Sequence, residues 1–216
     1  MARHTSRELM GDPLRATTRL PRSFYARPTL EAARDLLGKT LVHVTSSGPT
    51  AGLIVEVEAY VGEDDPACHA AAGLTTRNAP LYGPPGHAYV YLNYGLHYLV
   101  NAVTEPSGSP AAVLIRALVP RDGLALMRRR RARGGQRKAH PVGDEALCRG
   151  PGNVSAALGI TLAQNRCDLG GDRLFIEDGG ERMAPPAWSR RIGIRVGTSR
   201  RWRCYVPGCA SVSAGG

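Results

Sequence analysis

Lysine is almost missing from this chain: of its 28 basic residues only Lys39 and Lys138 are lysines, and the rest are arginines. Chemistry that runs through a side-chain amine, such as Schiff-base formation, therefore has very few places to occur. Cysteine is sparse and unpaired in pattern. The five residues Cys68, Cys148, Cys167, Cys204 and Cys209 are odd in number and contain no CxxC spacing, which excludes a disulfide framework and a four-ligand zinc site and predicts reduced thiols inside a cell. No run of ~18 apolar residues is present, and the polar stretch from Met1 to Arg19, with Arg3, Arg7, Arg15 and Arg19, lacks an apolar signal core. Neither secretion nor membrane spanning is expected. Low complexity is excluded as well, because 26 Gly and 16 Pro in 216 residues fall short of the ~25–30% that marks disordered chains.

What is present in excess is positive charge, +10 with a pI near 9.9. It suggests a polyanionic partner; the alternative is an arginine-rich codon bias that merely solvates the surface, since net charge speaks to association and not to fold. With 43% hydrophobic residues over 216 positions, one domain is the first expectation and two small ones the second, because single cores reach ~200 residues before splitting.

Local patterns fill in a mixed α/β chain. Leu30, Ala33 and Leu37 recur at helical spacing before Gly38. Leu41–Val44 and Leu53–Tyr60 read as strands around the turn cluster Ser46-Ser47-Gly48-Pro49, and in the second strand Glu56, Glu58 and Tyr60 alternate with Val55, Val57 and Ala59. Residues Tyr89–Leu92 and Leu96–Val103 form a hairpin around Asn93-Tyr94-Gly95, followed by a strand at Ala112–Leu118. A helix at Leu124–Arg131 runs into a basic loop ending at Lys138, and Gly150-Pro151-Gly152-Asn153 precedes a helical Val154–Leu158. Further strands are expected at Arg173–Glu177, Arg191–Val196 and Arg203–Val206.

Three features can carry chemistry. Glu58 beside Tyr60 on one strand face, with His69 in the next loop, has the makings of a general base packed among aromatics, although alternating glutamates more commonly mark a solvated face. Glu56 is better read as the partner of an arginine than as a second catalytic carboxylate, because neighbours on one strand do not straddle a scissile bond. Tyr94 at a hairpin tip either packs on a neighbour or inserts into a partner. The basic loop Arg128–Lys138 and the Gly150–Asn153 helix start are weaker candidates for phosphate contact.

Taken in order, Ile54-Val55-Glu56-Val57-Glu58-Ala59-Tyr60, Ala67-Cys68-His69, Thr76-Arg77-Asn78, Pro85-Gly86, Tyr89-Val90-Tyr91, Tyr94-Gly95, Asn101, Leu114-Ile115-Arg116-Ala117-Leu118 and Cys148-Arg149-Gly150-Pro151 resemble the alkyladenine (3-methyladenine) DNA glycosylase family. The resemblance implies a single α/β domain over residues 21–213, built on a curved, mainly antiparallel sheet with flanking helices and a protruding hairpin. Residues 1–20 would be a flexible arm and 214–216 a tail. It implies an enzyme that flips alkylated or deaminated purines of the 3-methyladenine, ethenoadenine and hypoxanthine class from duplex DNA and hydrolyses the N-glycosidic bond. By this resemblance Glu58 is the base, Arg116 steadies it and the attacking water, and Tyr60, His69, Tyr91, Asn101 and Leu114 bind the purine. Asn101 would reject the exocyclic amine of guanine, and Tyr94 would fill the gap left in the stack. No metal or cofactor is expected. The expected state is a monomer acting on damaged double-stranded DNA without a membrane, in the nucleoid of a bacterium or the nucleus of a eukaryote. Because no lysine lies in these motifs, the enzyme should leave an abasic site uncut. A non-catalytic nucleic-acid-binding module and a carbohydrate glycosidase are the alternatives, the second needing another catalytic carboxylate.

Overall fold

The structure, a computed structural model, describes residues 18–133 and 142–214. Nine strands are described: β1 (Thr18–Arg19), β2 (Thr40–Thr45), β3 (Gly48–Val61), β4 (Ala88–Asn93), β5 (His97–Val103), β6 (Ala111–Asp122), β7 (Leu174–Asp178), β8 (Ala187–Ser189) and β9 (Arg203–Tyr205). Five helices accompany them: α1 (Arg22–Tyr25), α2 (Thr29–Leu36), α3 (Leu124–Arg133), α4 (Asp144–Leu147) and α5 (Pro151–Leu158). Single 3-10 turns occur at His69–Ala72, Ala79–Tyr82 and Leu162–Gln164. No described helix is long and apolar enough to cross a membrane.

All strand pairs are antiparallel, and the main order is β1-β7-β2-β3-β6-β5-β4 in one curved sheet, as expected for the α/β class. The long strand β3 is the spine. One edge pairs first with β2 and then, from Glu56 to Glu58, with β9, while β6 follows the other edge. Every residue from Thr50 to Ala59 is buried, because both faces of this strand are covered. Val55, Val57 and Ala59 cluster with Leu36 of α2 and with Val154, Ala157 and Leu158 of α5. At eight residues each, α2 and α5 fall below the ~12–15 residues that an isolated helix needs, so burial of these apolar faces holds them. The opposite face is covered by residues 62–87, whose Cys68, Ala70 and Leu81 pack with Tyr89, Val103 and Ala112.

The β3–β6 ladder slips three times, once between Ala51 and Gly52 and twice around Glu56. Ile54 pairs with Leu118, Glu56 with Ala117 and Val57 with Ile115, so Val55 on one strand and Arg116 on the other lack a directly opposite residue. The two slips around Glu56 offset each other, leaving the register beyond them regular while re-aiming the side chains at Glu56 and Arg116.

Several expectations need correction. Thr18 and Arg19, assigned to the arm, pair with Asp178 and Glu177, and Leu20 is buried; residues 1–17 lie outside the described chain. Gly48 and Pro49 belong to β3, which shortens the hairpin turn to Ser46 and Ser47. Residues Arg191–Val196 are not a strand; the Ile192 N–H bonds the Glu58 side chain and Gly193 takes a positive φ of 76°, and the strand forms earlier, as β8. The basic loop begins as helix: α3 continues to Arg133, while residues 134–138 lie outside the described chain. Two of its arginines, Arg130 and Arg131, turn inward. Arg130 donates to the carbonyls of Ala157 and Leu158 at the end of α5 and to Thr45 and Thr50 of the β2–β3 hairpin, and Arg131 donates to Asn153.

Arg130 therefore closes a helix terminus with charge-assisted bonds, whereas Arg128 pairs with Asp144 in solvent. Arg130→Ala is expected to cost about 1.5–3 kcal/mol in urea denaturation, against about 0–1 kcal/mol for Arg128→Ala.

Candidate active site

Successive cross-strand partners place Arg203, Glu58, Leu114, Asn101 and Tyr89 in one row across β9, β3, β6, β5 and β4. Direct partners project from the same face, so residues distant in sequence meet on the side away from the helices. Glu56 and Glu58 are both fully buried. Each unpaired carboxylate there would cost several kcal/mol, so the chain must surround them with donors.

It does so completely. The Arg116 Nε lies 3.0 Å from Glu56 Oε1 and its Nη1 3.1 Å from Glu58 Oε2, so one guanidinium bridges both carboxylates. Arg203 Nε donates to Glu56 Oε1 at 2.7 Å, and the Ser213 N–H and hydroxyl donate to Glu56 Oε2 at 2.7 and 2.6 Å. On Glu58, Oε2 also accepts from the Tyr60 hydroxyl at 2.8 Å, and Oε1 accepts from the Ile192 N–H at 2.7 Å. Two carboxylates thus face two guanidinium groups in a charge-balanced cluster. Burial alone would raise the Glu56 pKa, but the Ser213 bonds, the Arg116 charge and the Arg203 bond outweigh it and hold it below the usual carboxylate range. Burial, followed by the Glu58 charge, pushes the Tyr60 phenol far up, so it remains a donor.

Above the cluster opens a cavity of about 480 Å³. Tyr60, His69, Tyr91, Tyr94, Asn101, Leu114 and Arg116 all line it, so the structure brings together seven of the eight site residues expected from the sequence. The eighth, Glu58, is not part of the lining and sits beneath Tyr60 and Arg116. The aromatic wall is tightly built. His69 meets Tyr91 edge-on at 4.5 Å, Tyr91 lies 5.3 Å from Tyr89, and His69 Nδ1 is 2.8 Å from the Tyr89 hydroxyl. Desolvation lowers the His69 pKa and the neighbouring Arg77 charge lowers it further, keeping the ring neutral at pH 7. Burial pushes Tyr89 up to about 12, and it pushes the wall thiol of Cys68 up to about 11, which leaves that sulfur a poor nucleophile.

Local structure holds each of these groups. The Asn78 amide donates to the carbonyls of His69 and Gly73 and accepts from the Thr75 N–H, bracing the loop that presents His69. Asn101 donates from Nδ2 to the Tyr89 carbonyl at 3.0 Å. At the hairpin tip Tyr94 and Gly95 take positive φ of 48° and 70°, as primed hairpin turns require, and Tyr94 is 83% exposed. A tyrosine in this conformation costs about 1–2 kcal/mol, and its ring has no compensating burial.

Sequence reasoning missed the far wall, Ile192–Val196, and the pair that holds it, Asp65 and Arg191. Both are buried, and the guanidinium bonds the carboxylate twice, at 2.5 and 2.7 Å. With 126 positions between them, no local signal announces the pairing. Among the described residues no group of three or more His, Cys, Asp or Glu is placed to hold a metal ion.

The family model for methylpurine-DNA glycosylase matches residues 23–210. The chain is 46% identical over 198 residues to a protein of Methanocella arvoryzae, covering 90% of this chain and 95% of that one. It is 48% identical over 191 residues to one of Chlorobium phaeobacteroides (87% and 92% covered) and 48% identical over 203 residues to one of Rhodopseudomonas palustris (93% of each). All three carry the name "Putative 3-methyladenine DNA glycosylase".

The depressed pKa values set a pH dependence. His69 and buried His43, whose pKa burial also lowers, bind more protons when unfolded than when folded just below the ordinary value of 6.5, so stability rises with pH through that window. Glu56 adds stability that is fully present above 4.5 and is lost as pH falls through its lower folded value. Urea midpoints are expected to drop below pH 6.5 and again below pH 4.5, and His43→Gln/His69→Gln should flatten the upper step alone.

Proposed function

The chain belongs to the methylpurine-DNA glycosylase family and is a DNA glycosylase, and on that premise we propose that it extrudes alkylated or deaminated purine nucleotides from duplex DNA and hydrolyses their N-glycosidic bond, leaving an uncut abasic site. The observation that carries this reading is the single arginine bridging two buried carboxylates directly under an aromatic cavity.

Glu58 is the proposed base. Tyr60 and Arg116 occupy Oε2, whereas among the described residues Oε1 accepts only from Ile192, so its remaining lone pair is the one available to a water molecule. That water attacks C1′ of the flipped nucleotide, the glycosidic electron pair leaves with the purine, and the water proton passes to Glu58. The carboxylate also offsets positive charge developing on the sugar. Alkylated purines are electron-poor leaving groups, which is why one carboxylate suffices and Glu56 can serve only to hold Arg116.

The cavity has the volume of a small-molecule site, within ~300–1,000 Å³, and its tyrosines supply stacking faces worth roughly 1–3 kcal/mol per base, enough to offset the few kcal/mol of extrusion. Tyr60, His69, Tyr91 and Leu114 hold the purine in this reading, and Asn101 excludes the amine that guanine carries. Tyr94, exposed on its strained tip, fills the space left in the duplex. Lys39 supports the absence of strand cutting, since it is bonded to Asp178 and does not line the cavity; Lys138 lies outside the described residues.

Single-turnover incubation with duplexes carrying 3-methyladenine-type, ethenoadenine or hypoxanthine lesions, followed by alkaline cleavage of abasic sites, should show base release; no release from any duplex, with binding retained, would instead indicate a binding module. Glu58→Gln is expected to keep lesion binding and slow release by about 100-fold or more. Tyr94→Ala should weaken lesion-duplex binding by about tenfold, the equivalent of one lost stacking contact. Borohydride should trap no covalent adduct.

A further inference from the structure

We infer that the buried Asp65–Arg191 pair is a positioning device for this site, holding Glu58, Tyr60 and the His69 loop in one geometry through contacts that neither residue makes with substrate. The inference rests on the proposed role of Glu58. Arg191 reaches in four directions at once. Its Nη1 bonds Asp65 and the carbonyl of Ala59, the residue after Glu58 on β3, at 3.0 Å. Its Nη2 bonds the other Asp65 oxygen and approaches the Gly197 carbonyl at 3.4 Å, closing the wall segment on itself. The guanidinium lies 4.6 Å from the Tyr60 ring centroid and 5.2 Å from that of Trp202. The very next residue, Ile192, places its N–H on Glu58 Oε1.

Asp65 performs the matching task on the other wall. Its carboxylate also accepts from the N–H groups of Ala67 and Val61, and its backbone carbonyl accepts from the N–H of Cys68, immediately before His69. One ion pair thus joins the loop that presents His69 to the loop that presents Ile192, across the strand that carries Glu58 and Tyr60. Because the donor to Oε1 is the backbone N–H next to Arg191, anchoring the guanidinium on Asp65, Ala59 and Gly197 anchors that donor and, with it, the orientation of the Glu58 carboxylate beneath the cavity.

The choice of charge is itself informative. Replacing a fully buried ion pair with apolar residues of similar volume is often neutral or stabilising, so stability alone does not call for this pair. What apolar side chains cannot supply is the planar fork that fixes Asp65, Ala59 and Gly197 in one plane.

Asp65→Leu/Arg191→Met removes the fork while filling its volume. Relative to wild type, the melting temperature should be nearly unchanged, whereas single-turnover base release at saturating enzyme slows by about 100-fold, the loss typical of misplaced reacting groups and larger than any loss of lesion-duplex affinity through Tyr60 and His69. Release at the wild-type rate in this folded variant overturns the inference. Should the double variant fail to fold, Arg191→Lys decides, since an ammonium keeps the charge beside Asp65 but cannot reach the other acceptors together: slowed release at saturating enzyme supports positioning, and a wild-type rate refutes it. Absence of release by the wild-type protein on every lesion duplex would instead refute the role of Glu58 on which the inference rests.

Discussion

Two carboxylates in a solvent-free layer of a sheet impose the constraint that organises this molecule. Glu56 and Glu58 cannot remain ionised there without nearly full coordination, and Arg116, caught between them, supplies the shared countercharge. The paired slips in the β3–β6 ladder make this possible, because Arg116 is the residue released from direct opposition and so is free to reach both acids. A regular ladder would hold it in line with a partner. The bulge, the bridge and the floor of the cavity are therefore one feature seen at three scales.

Apart from the Tyr60 hydroxyl on β3, the remaining donors come from the C-terminal part of the chain. Ile192, Arg203 and Ser213 each contribute to one of the two acids, and none belongs to the long central strands. In this stretch, poor in regular structure, the Ile192 and Ser213 N–H groups bond buried carboxylates in place of a ladder. The same economy explains the segment from Gly62 to Gly86, where Asp65 and Asn78 act as local anchors for a loop with almost no repeating structure.

The sequence made legible what depends on local periodicity. Alternation at Glu56, Glu58 and Tyr60 announced a shared face, the Asn93-Tyr94-Gly95 turn announced the hairpin, and the ordered motifs announced the family, the curved sheet and seven residues of the cavity lining. Depth was not legible: an alternating strand pattern is the same whether a glutamate faces water or a sealed cluster, and Glu58 proved to lie one layer below the lining. Long-range pairing was not legible either, which is why Asp65 and Arg191 carried no signal and Arg191–Val196 looked like a strand. The arginine run was misread because composition cannot show that Arg130 and Arg131 bend back onto α5 and the first hairpin. A large positive charge on this chain is thus partly internal bracing and only partly surface potential.

The wiring of Glu56 to Ser213 has a consequence for how the protein is made. During synthesis β3 emerges with two acids whose partners follow it: the Arg116 guanidinium first, then the Ile192 N–H, the Arg203 guanidinium and the Ser213 N–H and hydroxyl. At ~5–20 residues per second, the nascent chain passes several seconds with these acids incompletely matched. A carboxylate without these donors costs several kcal/mol to bury, so burial of the central strand becomes favourable only as they are supplied. Arg203 on β9 and Ser213 after it complete the cluster, so the floor of the cavity is finished only once both have been made.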